Sequence, residues 1–407
     1  MDARADENGF RSAALRGHGG RLLEDTLVMG GLWNSRHSGN FLADRLRADG
    51  VVANNALGDR GHVPPRHGRP RNEALIMPYT GDITGISTDE AVHLIRKTSA
   101  ADLQSLLDRA AETRSASFGN QVGLCAIVNA KSGLCSEDCT FCAQSSQAAR
   151  IGVAVHALLP ARRLIEHAIR AEKTGATSFS LVTSGRRITG EPEMAELEEA
   201  LHAIVDRTKL MPCASLGFVD VTRLRRLKRA GLCRYHHNLE AARSFFPSLC
   251  TTHTFDQKLE TLAAAKAVGL SVCSGGIFGV GESPEQRVEL ADTLRRTGVD
   301  AVPINFLDAR PGTPLERQPR LMPEDCLATI AVFRLMLPRT EIIVMGGREV
   351  QLGNQQAAIF RAGATATLVG DYLTTRGSAP EDIASLVSQQ GLSLRPATRA
   401  SRPQTAD

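Results

Sequence analysis

The sequence predicts an α/β protein whose parallel strands close into a (β/α)8 barrel. Three observations carry this. Eight short apolar or β-branched runs recur along the chain, at 123–130, 178–183, 210–216, 234–239, 271–278, 300–307, 341–346 and 364–370. Helical patterns lie between them, at 161–174, 192–207, 219–230, 255–268, 284–297, 323–336 and 350–362. Glycine often stands just before a strand, as at Gly175, Gly269, Gly298 and Gly363, where it stops the preceding helix. Strands alternating with helices argue for parallel βα units, and eight such units close naturally into a barrel. An open doubly wound sheet is the structural alternative.

The N-terminal part departs from this pattern. Residues 1–75 contain Arg and His but no Lys, and 61–71 (GHVPPRHGRPR) crowd Pro, Gly and Arg together. No period persists, so residues 1–84 are expected to form a poorly ordered Arg/His-rich extension and lead-in. Nine acidic residues in 1–75 argue against a transit peptide. Ser87-Thr88-Asp89-Glu90 then opens a helix, with a capping hydroxyl followed by acids. The barrel is expected over 85–392 and a disordered tail over 393–407.

Composition excludes several classes. Apolar residues make up 42% and charged residues 23%, ordinary values for a chain that buries a core. A net charge of +4 is too small to imply nucleic acid or an anionic membrane as partner. No run of about 18 apolar residues predicts a membrane span. The absence of a basic flank followed by an apolar stretch predicts no secretory signal, hence a cytoplasmic location. Nine cysteines, an odd and sparse count, read as reduced thiols with metal ligands among them.

The strongest local signal is Cys135-Ser-Glu-Asp-Cys139-Thr-Phe-Cys142. It directly follows the first strand, which places it at the C-terminal face of a barrel, where active sites sit. Three thiolates in eight residues can wrap one face of a 4Fe-4S cluster and leave one iron open. A zinc-binding interaction module is the alternative from another class, but it usually needs a fourth ligand nearby. None follows within ten residues of Cys142.

This spacing, with Phe141 before the last cysteine, resembles the radical S-adenosylmethionine superfamily. A second feature, 275–282 (GGIFGVGE), is similar to that superfamily's glycine-rich pattern near strand five, with Gly275 and Ile277 at the cofactor. The resemblance implies that S-adenosylmethionine chelates the open iron and is cleaved to a 5′-deoxyadenosyl radical. Phe141 is then expected near the adenine.

Longer stretches resemble the biotin synthase family: 131–146 (KSGLCSEDCTFCAQSS), 235–240 (YHHNLE), 271–282 (SVCSGGIFGVGE), 302–306 (VPINF), 346–349 (GGRE) and 369–375 (VGDYLTT). They stand in family order across about 85–390. The resemblance implies radical insertion of sulfur into dethiobiotin. It implies a homodimer that takes electrons from a donor such as flavodoxin or ferredoxin. Hydrogenase-maturation and methylornithine-forming enzymes are related alternatives of the same barrel type.

Ser180, Cys213, Cys273 and Arg348 fall on different predicted strands, whose inward residues meet in a barrel lumen. There the resemblance implies an auxiliary cluster, 2Fe-2S, that supplies the sulfur, with Cys213, Cys273 and Arg348 as ligands. Arg348 has no lone pair to give and can instead balance charge. Serine replaces an expected cysteine at Ser180, with Cys125 on the first strand as the other candidate ligand, so the site holds a 2Fe-2S cluster with altered ligands or another cluster type. By the same resemblance Asn238 and Glu240 contact the cofactor ribose. Asn238 and Asn305 hold the ureido ring of dethiobiotin, and Thr374 and Thr375 receive its carboxylate. His236 stands where another Asn is common. Cys233, Cys250 and Cys326 read as structural or incidental.

Overall fold

The structure, a computed structural model, describes residues 85–96 and 99–398. The extension expected over 1–84 lies outside the described residues. Two helices precede the barrel. α1 (Thr88–Ile95) is capped by Ser87, whose hydroxyl accepts from the Glu90 amide, and α2 (Ala100–Phe118) is capped by Ser99 in the same way. On α2, the buried Arg114 guanidinium donates to Ala364, Gly119 and Gln121 carbonyls at 2.8, 2.9 and 3.1 Å. That ties α2 to the N-terminal end of the barrel.

Next come β1 (Gln121–Lys131), α3 (Ala161–Lys173), β2 (Ser178–Thr183), α4 (Glu191–Arg207), β3 (Met211–Ser215), α5 (Val221–Arg229) and β4 (Arg234–His236). After α6 (Phe255–Ala267) follow β5 (Ser271–Cys273), β6 (Gly276–Phe278), α7 (Pro284–Thr297), β7 (Ala301–Phe306), α8 (Pro323–Met336) and β8 (Glu341–Val344). The chain then forms α9 (Arg348–Leu352), α10 (Ala358–Arg361), β9 (Ala366–Leu368), α11 (Pro380–Ser388) and β10 (Ser393–Leu394). The sheet runs β1-β2-β3-β4-β5-β7-β8-β9, all pairs parallel, and β9 pairs back to β1. The barrel is therefore closed and has eight strands, so the open-sheet alternative does not hold.

α8 is apolar all round and is buried at every position from Cys326 to Met336. It packs between the barrel and α1 and α2. Its one cation, Arg334, is fully buried and donates to the Gly363, Leu337 and Pro338 carbonyls, each at 3.0 Å.

Three expectations are corrected. The run 271–278 is two strands, because Gly275 comes so close to the β7 backbone that a Cβ would meet the Pro303 carbonyl oxygen at 1.9 Å. The single helix expected over 350–362 is α9, a 3-10 turn and α10, broken at Gly353 with φ +50°. The tail expected from 393 begins instead with β10, which pairs with β1 through Gln121–Ser393 and Val122–Leu394. Residues 399–407 lie outside the described residues.

Candidate active site

The inward faces of the strands can be read from burial. Along 234–240, Arg234, His236, Asn238 and Glu240 open to the lumen, while Tyr235, His237 and Leu239 are buried behind them. On β1 the lumen positions include Cys125 and Ile127. Together with the loops above them, these residues enclose a cavity of ≈ 620 Å³. Cys142 and Phe141 line it, as do Cys125, Ser180, Cys213 and Cys273. The mouth residues Asn238, Glu240, Ile277, Asn305, Thr374 and Thr375 complete the wall.

The cysteine loop is held by its two acids. Asp138 accepts from the backbone amides of Thr251 and Thr252 at 2.9 and 3.2 Å, from the Thr251 hydroxyl, and from the Cys250 thiol at 3.0 Å. Burial alone would raise this carboxyl, but those bonds outweigh it and hold it well below the usual range. Glu137 bonds His253 Nδ1 at 2.5 Å, Thr252 at 2.9 Å and Arg186 at 3.0 Å. Gln144 Oε1 accepts from the Gly133 amide at 2.8 Å and closes the loop on itself. Cys135, Cys139 and Cys142 are all free and half-buried. Burial pushes Cys142 up to about 11, so its proton leaves readily only to a bound metal.

Sequence reasoning missed the seat of this loop. Cys250, read as incidental, lies within 4.8 Å of both Cys139 and His253 by its donor atom. The signal was the acid pair inside the cysteine motif, which needs partners once buried.

Of the glycine-rich segment, Ile277 reaches the cavity and Gly275 does not. The missing side chain of Gly275 makes room for Pro303. Glu282, the last residue of that segment, accepts from the Gly279 and Val280 amides and from Arg287 at 2.8 Å, stapling the turn.

Glu240 sits in the left-handed region with φ +72°, an unfavourable conformation for a side-chain-bearing residue. Two backbone bonds fix it, Glu240 amide to Gly275 carbonyl at 3.1 Å and Ile277 amide to Glu240 carbonyl at 2.8 Å. Burial raises its carboxyl above the usual range, partly offset by Lys258 at 3.9 Å. Asn238 Oδ1 accepts from the Gly275 amide at 3.0 Å. Asn305 bridges the Gly276 carbonyl at 3.2 Å and the Gly346 amide at 3.1 Å. Each amide is thus oriented by backbone at the cavity wall. His236 faces the lumen with Nδ1 3.4 Å from Cys273 Sγ, and burial first, then Lys258 and Arg234, lowers it to about 4.

Deeper in the lumen the thiols of Cys125, Cys213 and Cys273 converge. All three are pushed up by burial, Cys273 to about 12. Ser178 donates to Cys125 Sγ at 3.0 Å. Ser180, paired with Cys213 in register, also faces the cavity.

Arg348 is not among the lumen residues, and its expected ligand role is corrected. It opens α9 and is fully buried. Its guanidinium donates to Gln356, Thr367, the Leu368 carbonyl, Glu349 and Ser378, which occupies all five N–H groups. The lumen positions of that strand are the apolar Ile343 and Met345. The guanidinium that does line the lumen at the level of Cys213 is Arg234.

Comparison with known proteins agrees with this geometry. Residues 131–294 match the Radical SAM superfamily, and 303–393 match the Biotin and Thiamin Synthesis associated domain. A closed parallel barrel carrying such a cysteine loop defines the radical S-adenosylmethionine class. A protein named biotin synthase from Anaeromyxobacter sp. (strain K) is 55% identical over 77% of this chain and 87% of its own length. Another so named, from Trichlorobacter lovleyi, is 48% identical over 76% of this chain and 93% of its own. The chain belongs to the biotin synthase family.

Among solved structures, a methylornithine synthase superposes with TM-score 0.65 at 19% identity, covering 77% of this chain and 95% of that one. The FeFe-hydrogenase maturase of Carboxydothermus hydrogenoformans gives 0.66 at 16%, covering 79% of each chain. These two likenesses are of fold. The cysteine loop is a connection between β1 and α3 of the barrel, so the zinc-module alternative has no separate domain to occupy.

Proposed function

We propose that this chain converts dethiobiotin to biotin by radical insertion of sulfur, with S-adenosylmethionine as co-substrate. One observation carries the reading. A single cavity runs from Cys142 and Phe141 at the mouth to Cys125, Cys213 and Cys273 below, with room for a small molecule between two sulfur-rich zones.

The donor sets fit the groups this needs. Cys135, Cys139 and Cys142 are free thiols on an anchored loop and would hold a 4Fe-4S cluster. That cluster, when bound, supplies the electron that cleaves S-adenosylmethionine. Cys125, Cys213 and Cys273 would hold an auxiliary iron–sulfur cluster, for which the family resemblance gives 2Fe-2S. Their burial-raised thiols give up protons only to a metal, and three soft sulfurs suit iron–sulfur chemistry. Ser180 is a harder donor and is the second choice.

The remaining residues bind and orient. Phe141 packs with Ala241, Leu249, Val280 and Leu307, so its ring is a fixed apolar wall for adenine. Glu240 and Asn238 present carboxylate and amide to the ribose. Asn238 and Asn305, each locked by backbone bonds, offer donor and acceptor to a cyclic urea. Thr374 and Thr375 line the opposite side of the mouth with Arg310 and Arg376, a set suited to the substrate carboxylate. The closed wall keeps water from reactive carbon.

A cytoplasmic homodimer fed by flavodoxin or ferredoxin belongs to this reading and is supported by family resemblance. Among the described residues no helix is long and apolar enough to cross a membrane. The test is anaerobic reconstitution with iron and sulfide, followed by assay of biotin from dethiobiotin. Cys135→Ala, Cys139→Ala and Cys142→Ala should each abolish 5′-deoxyadenosine formation. The wild-type rate in any of them would refute the assignment.

A further inference from the structure

The lumen gathers three sulfur donors and one guanidinium. A cluster held by three thiolates and sulfide is an anion, and an anion in a closed, poorly solvated lumen is costly without a nearby cation. Three arginines line the cavity: Arg234, Arg310 and Arg376. Arg310 follows β7 and Arg376 follows β9, both at the mouth. Arg234 alone stands at the level of the thiols, as the register partner of Cys213 on β3 and of Ser271 on β5.

Its setting fits it for that task. Nε donates to Ser271 Oγ at 3.1 Å and Nη1 to Glu341 Oε2 at 2.8 Å. Nη2 has no protein partner among the described residues. Glu341 does not cancel the charge, because Arg395 beside β10 also donates to it, at 3.2 Å. Two guanidiniums share that carboxylate, and Arg234 is the one on the lumen side; the other acid felt at Cys273, Asp300, is turned to the Val272 amide, from which it accepts at 2.8 Å. Its fork is fixed from below and can direct N–H donors at sulfur.

We infer that Arg234 is the lumen cation that balances and hydrogen-bonds the auxiliary cluster held by Cys125, Cys213 and Cys273. This rests on the auxiliary-cluster reading above, and it makes Arg234 a positioning residue for that group. It also places the basic group on β4 instead of after β8.

The test isolates the lumen. In a full chain carrying Cys135→Ala, Cys139→Ala and Cys142→Ala, the three ligands of the loop cluster are gone, and Cys125, Cys213 and Cys273 remain together on the cavity wall. This parent is reconstituted anaerobically with ferrous iron and sulfide, then compared with versions bearing Arg234→Met or Arg234→Lys. Iron content, Mössbauer spectra and the cluster midpoint potential are read. Arg234→Met should lose at least half of the lumen iron, and what remains should have a lower potential, since the reduced cluster carries more negative charge. Arg234→Lys should restore most of both. Glu341 keeps Arg395 in either variant, so no carboxylate is orphaned. Equal iron and equal potential in the parent and Arg234→Met would overturn the inference. A parent that holds no iron would instead overturn the auxiliary-cluster reading, and this inference with it.

Discussion

Glu137 and His253 meet at 2.5 Å across 116 residues of sequence, joining the cysteine loop to the segment that follows β4. Neither residue belongs to the cysteine motif's ligand set, yet together with Arg186 and Thr252 they fix where that motif sits. His253→Leu should therefore loosen the loop without removing a ligand. The expected cost is about 1.5–3 kcal/mol, the worth of one hydrogen bond to a charged group, since Glu137 keeps Thr252 and Arg186. Anaerobic thermal unfolding, with iron retention during gel filtration, checks it. Unchanged iron retention and an unchanged midpoint would show that the pair does not anchor the loop.

The choice between Cys125 and Ser180 has a direct test. Cys125→Ala should lose auxiliary iron, while Ser180→Ala should leave the Mössbauer spectrum nearly unchanged. The reverse order would assign the ligand to Ser180. Cys213→Ala and Cys273→Ala should each spare 5′-deoxyadenosine formation and stop biotin formation, because their strands are separate from the cysteine loop.

Gly275→Ala should destabilise the barrel by roughly 1–3 kcal/mol or more, as an overpacked backbone contact does. Gly190→Ala is the control, since its nearest contact would be an ordinary 3.6 Å. Unfolding midpoints for the two variants should differ clearly. Equal midpoints would show that β5 and β7 separate at little cost.

The Glu341 carboxyl gives a pH dependence with a definite sign. Burial would raise it, but Arg234 and Arg395 outweigh that and hold it below its ordinary 4.5. A carboxyl lowered on folding contributes stability that is fully present above its unfolded value and is lost as pH falls through the folded one. Acid unfolding of the wild type should therefore carry a contribution below pH 4.5 that Glu341→Gln lacks. At neutral pH that variant should be less stable by about 1.5–3 kcal/mol, the worth of hydrogen bonds to a charged group. Superimposable acid limbs would remove Glu341 from the account.

A chain beginning near residue 76 should still bind iron and form biotin, because none of the matched motifs lies before it. Loss of biotin formation with intact cluster content would assign the extension a function.

Much of this architecture is legible in sequence because its causes are local. Ser87, Asp220 and Ser283 each cap the helix they precede, and the alternation of Arg234, His236, Asn238 and Glu240 with Tyr235, His237 and Leu239 is a strand's period written out. What sequence does not carry is the aim of a side chain beyond a strand end. Gly347, at φ +76°, lies so close to the Phe306 carbonyl that only glycine fits, and the turn it makes starts α9. Arg348 therefore opens a helix instead of extending β8, and its guanidinium is spent between α9 and β9. The pairing of Asp138 with Cys250 is equally silent, since 112 residues separate them and no period links them.

The contact of Arg395 with Glu341 has a consequence for the order in which the molecule is made. Cys125 emerges from the ribosome early, and Arg395 almost at the end of the described chain. Until Arg395 arrives, Glu341 has Arg234 alone as its guanidinium partner. Only when translation has passed β10 is that carboxylate shared, so a nascent or clipped barrel lacking that strand keeps Arg234 in an undivided ion pair.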